Sequence, residues 1–160
     1  MPRPLRIEIC GGIASGKTSF ARLFVKSQIA PIFEEFRANP FWKAFYSARS
    51  KYAFETEITF ALQHYHEIKR RREGKALICD FSIFLDLAYT SVTLNGFQRQ
   101  VFKSVHRQIR RDLGLPLILI YLDCRAKTQL ERIRARGRAE ENSIRLQYVQ
   151  ELNDSVRIEV

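Results

Sequence analysis

Eight residues near the N-terminus, Gly11-Gly12-Ile13-Ala14-Ser15-Gly16-Lys17-Thr18, set two glycines, a lysine and a hydroxyl at the spacing G-x-x-x-x-G-K-[S/T]. This is the pattern of a loop that cradles phosphates. Gly11 and Gly16 permit backbone angles that a side chain forbids, so successive N–H groups can turn toward one anion. A helix starting just after the loop, from Ser19, adds its N-terminal dipole to the same anion. Lys17 then places a point charge on the outer phosphates, and the Thr18 hydroxyl suits a magnesium ion. A nucleoside triphosphate is the expected ligand.

Further chemistry-bearing residues follow at the ends of apolar runs. Pro31-Ile32-Phe33 ends in Glu34-Glu35, which places carboxylates at the sheet edge that holds the phosphate loop. Lys75-Ala76-Leu77-Ile78-Cys79 ends in Asp80, where an acid beside such a loop serves the magnesium shell. Arg132, Arg134, Arg136 and Arg138 surround Gly137, a spacing suited to an arginine-rich lid over about residues 132–141. Guanidinium groups stay charged and fork toward several phosphate oxygens at once.

The elements that must position these groups alternate along the chain. Leu5 to Cys10 reads as a buried strand, and Ser19 to Ile29 as a helix with apolar residues at Phe20, Leu23 and Phe24. Pro31 to Phe33 is a second strand, and Asn39-Pro40 breaks the chain before the aromatic segment Phe41 to Tyr46. Tyr52 to about Arg72 repeats Ile58, Ala61, Leu62, Tyr65 and Ile68 at helical steps, and Gly74 ends it. Phe81 to Leu94 reads as a helix, Asn95-Gly96 as a turn, and Phe97 to Leu113 as an amphipathic helix stopped by Gly114-Leu115-Pro116. Leu117 to Leu122 is the fourth and most apolar strand. Lys127 to Ala135 is a helix, Glu141 to Leu152 resumes helical spacing, and Val156 to Val160 is a candidate fifth strand. Continuous apolar runs alternating with helices predict an α/β fold, a parallel sheet covered on both faces, in one domain over residues 1–160.

Composition narrows the classes. With 46% hydrophobic and 28% charged residues the chain reads as an ordinary soluble globular protein, and no apolar run approaches the ~20 residues of a membrane span. The N-terminus carries no signal-peptide pattern, so a cytoplasmic protein is expected. Cys10, Cys79 and Cys124 each close a predicted strand without metal-ligand spacing, so buried reduced thiols are expected. The net charge of +10 raises nucleic-acid binding as an alternative. The arginines, however, concentrate in Lys69-Arg70-Arg71-Arg72 and in the lid, without interleaved stacking aromatics, so nucleic-acid binding is not the favoured reading.

Together these residues resemble the deoxynucleoside kinase family, P-loop kinases that transfer the terminal phosphate of ATP to the 5′-hydroxyl of a deoxynucleoside. The resemblance runs from the phosphate loop to Leu152 and rests most firmly on Arg136-Gly137-Arg138-Ala139-Glu140-Glu141 with Tyr148, and on Asn39-Pro40, Tyr46 and Ala53-Phe54. It implies magnesium-ATP held by Gly11, Gly12, Ile13, Ala14, Ser15, Gly16, Lys17, Thr18 and Ser19 together with Arg132 and Arg136. Thr18 and Asp80 would serve the metal. Lys17, Arg136 and Arg138 would act on the transferring group, and Glu34 would be the general base. Tyr46 and Glu141 match the pair that holds the sugar 3′-hydroxyl, and a homodimer through the long helices is implied. Another small-molecule P-loop kinase, such as one acting on nucleoside monophosphates, and a catalytically weak basic ATP-binding protein are the alternatives.

Several positions depart from the family pattern. Asp80-Phe81-Ser82 keeps the acid but has phenylalanine where many members carry the arginine that helps hold the 5′-hydroxyl and its base. Glu57 stands where a glutamine usually reads the base. An ionised carboxylate only accepts hydrogen bonds and so leans toward guanine, with its adjacent N1–H and exocyclic amine, whereas a protonated one mimics glutamine. His64 takes the place of an arginine, Asp86 matches that arginine's acidic partner, and Glu57, His64 and Asp86 are expected to line the base end of the pocket. The chain ends at Val160, so the loop that contacts the adenine of ATP in relatives is expected to be short, missing or replaced.

Overall fold

In the computed structural model, which describes residues 5–71 and 76–160, four strands form one sheet. They are β1 (Arg6–Cys10), β2 (Ala30–Ile32), β3 (Leu77–Cys79) and β4 (Ile118–Tyr121), in the order β2-β3-β1-β4 with every pair parallel. Seven α-helices accompany them among the described residues: α1 (Lys17–Arg22), α2 (Trp42–Ser47), α3 (Arg49–Arg70), α4 (Ile83–Thr93), α5 (Gly96–Leu113), α6 (Ala126–Arg136) and α7 (Leu146–Glu159). Single 3₁₀ turns occupy Phe36–Ala38 and Ala139–Ser143. The parallel sheet predicted from alternating runs is therefore present. Its strands end together, so the phosphate loop after β1, Glu34 after β2 and Asp80 after β3 share one edge, the place where open α/β sheets bind ligands.

The core forms where helical spacing meets the sheet. Ala53, Ala61 and Ile68 of α3 pack with Phe102, Ile109 and Leu113 of α5 against Ile32, Leu77 and Cys79. Tyr148, Val149 and Leu152 of α7 pack with Ile133 of α6 and Ile13 of the loop, which fixes the phosphate loop against the helices carrying the lid.

Several expectations need correction. The helix predicted over Ser19 to Ile29 stops at Arg22, and Leu23 to Ser27 continue in tighter i→i+3 bonds such as Phe24 N–H to Ala21 O. Only Ala21 of α1 is buried, so no apolar face sustains further turns. Asn95-Gly96 is not a free turn. The Asn95 side chain accepts from Gln98 N–H and the Gln98 side chain reaches back, a capping box that starts α5 at Gly96. The candidate fifth strand, Val156 to Val160, is instead the end of α7, because Val149, Leu152 and Val156 repeat at helical steps and are all buried. The spacing from Glu141 is a 3₁₀ turn before α7 begins at Leu146. The most apolar strand, β4, lies at the sheet edge with Ile118 exposed, so both-face cover fails there. Cys10 and Cys79 are buried free thiols, while Cys124 lies beyond β4 and is only half-buried. Arg72, the stop at Gly74 and the strand start at Lys75 lie outside the described residues.

A charged pair that reading β1 as simply buried passed over sits inside the fold. Arg6 Nε donates to Glu8 Oε1 at 2.6 Å, and Arg6 also caps the end of α5 by donating to Leu113 O and Gly114 O. Glu8 accepts from the Ser82 hydroxyl at 2.7 Å and from Ile83 N–H, so it anchors the start of α4 and the Asp80–Ser82 corner. Burial pushes the Glu8 carboxyl up, and the Arg6 guanidinium opposes this. Glu8→Ala strands Arg6 in the interior and is expected to cost about 3–5 kcal/mol in denaturant unfolding.

Candidate active site

One cleft of about 580 Å³ gathers nearly every group singled out in the sequence. Ile13 to Ser19 form one wall, Glu34, Tyr46, Glu57 and His64 another, and Asp80, Asp86, Arg136, Arg138 and Glu141 complete it. Gly11 and Gly12, at the start of the loop, are packed by Gln129, Asn153 and Ser15 and do not line the cleft, and Arg132 reaches the loop from α6.

The loop is shaped by local sterics. Gly11 and Gly16 have φ of 152° and 107°, and Ala14 takes the left-handed region at 57°. A Cβ on Gly12 would sit 2.2 Å from Asn153 Oδ1 and 2.6 Å from Gln129 Nε2, so helices α6 and α7 press directly on the backbone. Gln129 and Asn153 were not foreseen, since nothing in their spacing marks them as neighbours of the loop. Lys17 Nζ donates to Gly11 O and Gly12 O, both at 2.9 Å, which bends the side chain back over its own loop. Burial lowers the Lys17 ammonium, and the Glu34 and Asp80 carboxylates counter that. Arg132 Nη1 donates to Ala14 O at 3.2 Å, bracing the loop tip.

Thr18 Oγ1 donates to Asp80 Oδ2 at 2.7 Å, and Glu34 N–H donates to Asp80 Oδ1 at 2.6 Å. Asp80 thus ties the loop to the end of β2, with burial pushing its carboxyl up. A hydroxyl facing a carboxylate fits a small hard cation that takes its remaining ligands from phosphate and water. Among the described residues no group of three or more His, Cys, Asp or Glu side chains could hold a metal by itself.

On the acceptor side, the Glu34 side chain is 36% exposed to the cleft. Surrounding protein disfavours its charge, yet His64, Lys17 and Arg138 outweigh this and hold it below the usual carboxylate range. His64 Nε2 lies 2.9 Å from Glu34 Oε1, and Nδ1 lies 3.0 and 3.1 Å from the Asp86 oxygens. Glu57 is buried, accepts from the Thr93 hydroxyl at 2.9 Å, and is pushed up to about 8 by burial. The expected Glu57, His64, Asp86 cluster therefore divides, with His64 and Asp86 paired and drawn toward Glu34 while Glu57 is engaged by α4.

The arginines around Gly137 are folded onto Glu141. Arg136 grips this buried carboxylate with two bonds of 2.8 Å, and Arg138 Nη1 adds one of 3.2 Å while its guanidinium lies 4.0 Å above the Phe36 ring. Tyr46 lines the cleft beside this group, and its phenol is pushed up by burial first and then by Tyr148 and Glu141. Phe60 and Tyr89 also line the cleft. Phe60 lies three residues after Glu57 on α3 and Tyr89 three after Asp86 on α4, so helical spacing from the chosen residues would have found both.

Comparison with known proteins shows the family and the fold. The family model for deoxynucleoside kinase matches residues 7–158. A deoxyguanosine kinase from Bacillus subtilis is 28% identical over 152 residues, covering 91% of this chain and 73% of that protein. A deoxyadenosine kinase from Dictyostelium discoideum is also 28% identical, over 91% of this chain and 62% of its own length. The solved structure of deoxyadenosine kinase from M. mycoides with bound dCTP superposes with a TM-score of 0.84 at 22% identity, over 96% of this chain and 82% of that one, a likeness of fold. The chain belongs to the deoxynucleoside kinase family.

Proposed function

We propose that this member of the deoxynucleoside kinase family moves the terminal phosphoryl group of ATP to the 5′-hydroxyl of a purine deoxynucleoside, with deoxyguanosine favoured where Glu57 is ionised. The observation that carries this reading is the single cleft in which Lys17 and Thr18 face Glu34, with Tyr46 and Glu141 on the same acceptor side. Loop N–H groups, Lys17 and Arg132 hold the donor phosphates. Magnesium, held by Thr18 and Asp80, neutralises charge on the phosphates when bound. Glu34 orients the 5′-hydroxyl and accepts its proton as the oxygen bonds to phosphorus and the bond to the departing ADP breaks. Tyr46 and Glu141 hold the 3′-hydroxyl, Arg136 clamps Glu141 in place, and Arg138 swings over the transferring group.

The purine is suggested by the deoxyguanosine and deoxyadenosine kinases among the relatives, and Glu57 couples the choice between adenine and guanine to pH. Protonated, it carries one donor and one acceptor, which suits N6–H and N1 of adenine or N1–H and O6 of guanine. Ionised, it only accepts, which suits the adjacent N1–H and amine of guanine and repels adenine N1. With the carboxyl pushed up to about 8, the protonated form dominates below that value and is lost above it. The kcat/KM for deoxyadenosine is therefore expected to fall relative to that for deoxyguanosine between pH 7 and pH 9, and Glu57→Gln to remove that change. A ratio that stays flat in the wild type would contradict the role of Glu57.

A homodimer through the long helices is part of the same proposal. Leu62 on α3 and Phe97 on α5 are large apolar side chains left 49% and 76% exposed. Sedimentation of wild type against the Leu62→Asp, Phe97→Asp double variant is expected to show a dimer turned monomer.

A further inference from the structure

His64 occupies an unusual position between two acids. Its ring is 4% exposed, with Nε2 against Glu34 and Nδ1 against Asp86. Ionised carboxylates offer only acceptors, so a neutral imidazole would turn one lone pair toward an anion, whereas an imidazolium donates to both. The ring also stacks on Phe81 with centroids 4.0 Å apart and planes 7° from parallel. An aromatic face is a favourable neighbour for a delocalised cation. Phe81 is itself fully buried, so this platform is rigid. Burial opposes charge on His64, but the Asp86 and Glu34 carboxylates prevail and push the imidazole up to about 10.

We propose that His64 and Phe81 act as a unit in place of the arginine absent at position 81, with the His64 cation, anchored by Asp86 and stacked on Phe81, holding the Glu34 carboxylate toward the acceptor hydroxyl. This rests on the reading of Glu34 as the base. His64 engages Oε1 and keeps its proton throughout, and Oε2 is the oxygen that accepts the substrate hydroxyl. A carboxylate paired with a cation is a weaker base, but a loose phosphoryl-transfer transition state asks for position more than for basicity. His64 is thus a positioning residue. Phe81, which looked like a lost function, becomes the surface on which the replacement cation rests.

Steady-state kinetics on His64→Gln, His64→Arg and the His64→Gln, Phe81→Arg double variant, with ring-nitrogen NMR of the wild type and of Glu34→Gln, test this. Displacing the base costs on the order of 10- to 100-fold. His64→Gln is therefore expected to lose about that much in kcat with the deoxynucleoside KM changed less than about threefold, and either arginine to recover about tenfold of the loss. In the wild type at pH 8 both His64 ring nitrogens are expected to carry protons, a signature that does not depend on folding of any variant. A neutral His64 ring at pH 8, an undiminished kcat in His64→Gln, or a loss that neither arginine recovers overturns the proposal. Full activity in Glu34→Gln instead removes Glu34 as base, and the proposal with it, even where the doubly protonated signature persists.

Discussion

Glu34→Gln is expected to lower kcat for deoxynucleoside phosphorylation by about 10²- to 10⁴-fold, the range a positioned general base contributes. The amide keeps the size of the carboxylate and can still hydrogen-bond the 5′-hydroxyl, so the KM for the nucleoside should move only severalfold. It cannot take the proton, and it gives His64 a neutral partner. Glu34 lies beyond the end of β2, with its side chain open to the cleft. The glutamine oxygen can still accept from His64 and Asp86 still balances the ring, so a modest fall in thermal stability is expected, and a variant that stays folded at the assay temperature separates lost chemistry from lost fold. Since Lys17 is held partly by the Glu34 charge, a modest rise in the KM for ATP is also expected.

Arg138→Ala is expected to cost about 10³-fold in kcat, the lower end of what a guanidinium on the transferring phosphoryl group contributes. The two lid arginines differ in how they are held. Arg136 is clamped by two short bonds to a buried carboxylate, while Arg138 makes one longer bond and rests on Phe36. In the proposed mechanism the less tethered guanidinium swings to the phosphates, and the clamped one orients Glu141 for the sugar. Arg136→Ala should accordingly act mainly on the nucleoside, raising its KM about tenfold, since loss of one partner of a charged bond costs ~1.5–3 kcal/mol. Equal effects of the two substitutions on kcat would show that the division between them is wrong.

Much of this architecture was legible because the informative residues sit at element ends. The loop glycines, Glu34 and Asp80 each follow a short apolar run, and parallel strands carry their C-terminal ends to a common edge. The end of α6 was readable from Gly137, which closes the helix in the left-handed conformation amid the arginines. Less legible were features set by tertiary competition. Leu23 has helical spacing but is left exposed, and Phe24 packs only partly against Ile9, Ala21 and Ile78, so α1 ends early. Val156 to Ile158 looks β-branched and strand-like, yet Val156 continues the buried face of α7. Arg6 and Glu8 lie in the stretch read simply as a buried strand, and only the packing of α4 and α5 around β1 shows that they complete each other. His64 was placed at the base end of the pocket by its helix face, and its second bond to Glu34 depends on how β2 meets α3, which no local pattern encodes. The charge state of Glu57 is likewise a property of burial, so the leaning to guanine drawn from an ionised carboxylate becomes a pH-dependent choice between purines.

In the proposed function a donor loop and a sugar-binding acceptor site share one cleft with Glu34 between them. Its most direct test is transfer of the labelled terminal phosphate of ATP by the wild-type protein, with deoxyguanosine, deoxyadenosine, deoxycytidine, thymidine and the deoxynucleoside 5′-monophosphates offered in parallel. The expected result is label on the 5′-oxygen of the purine deoxynucleosides, dependent on magnesium. Label passing only to the monophosphates, or no transfer to any nucleoside, would contradict it.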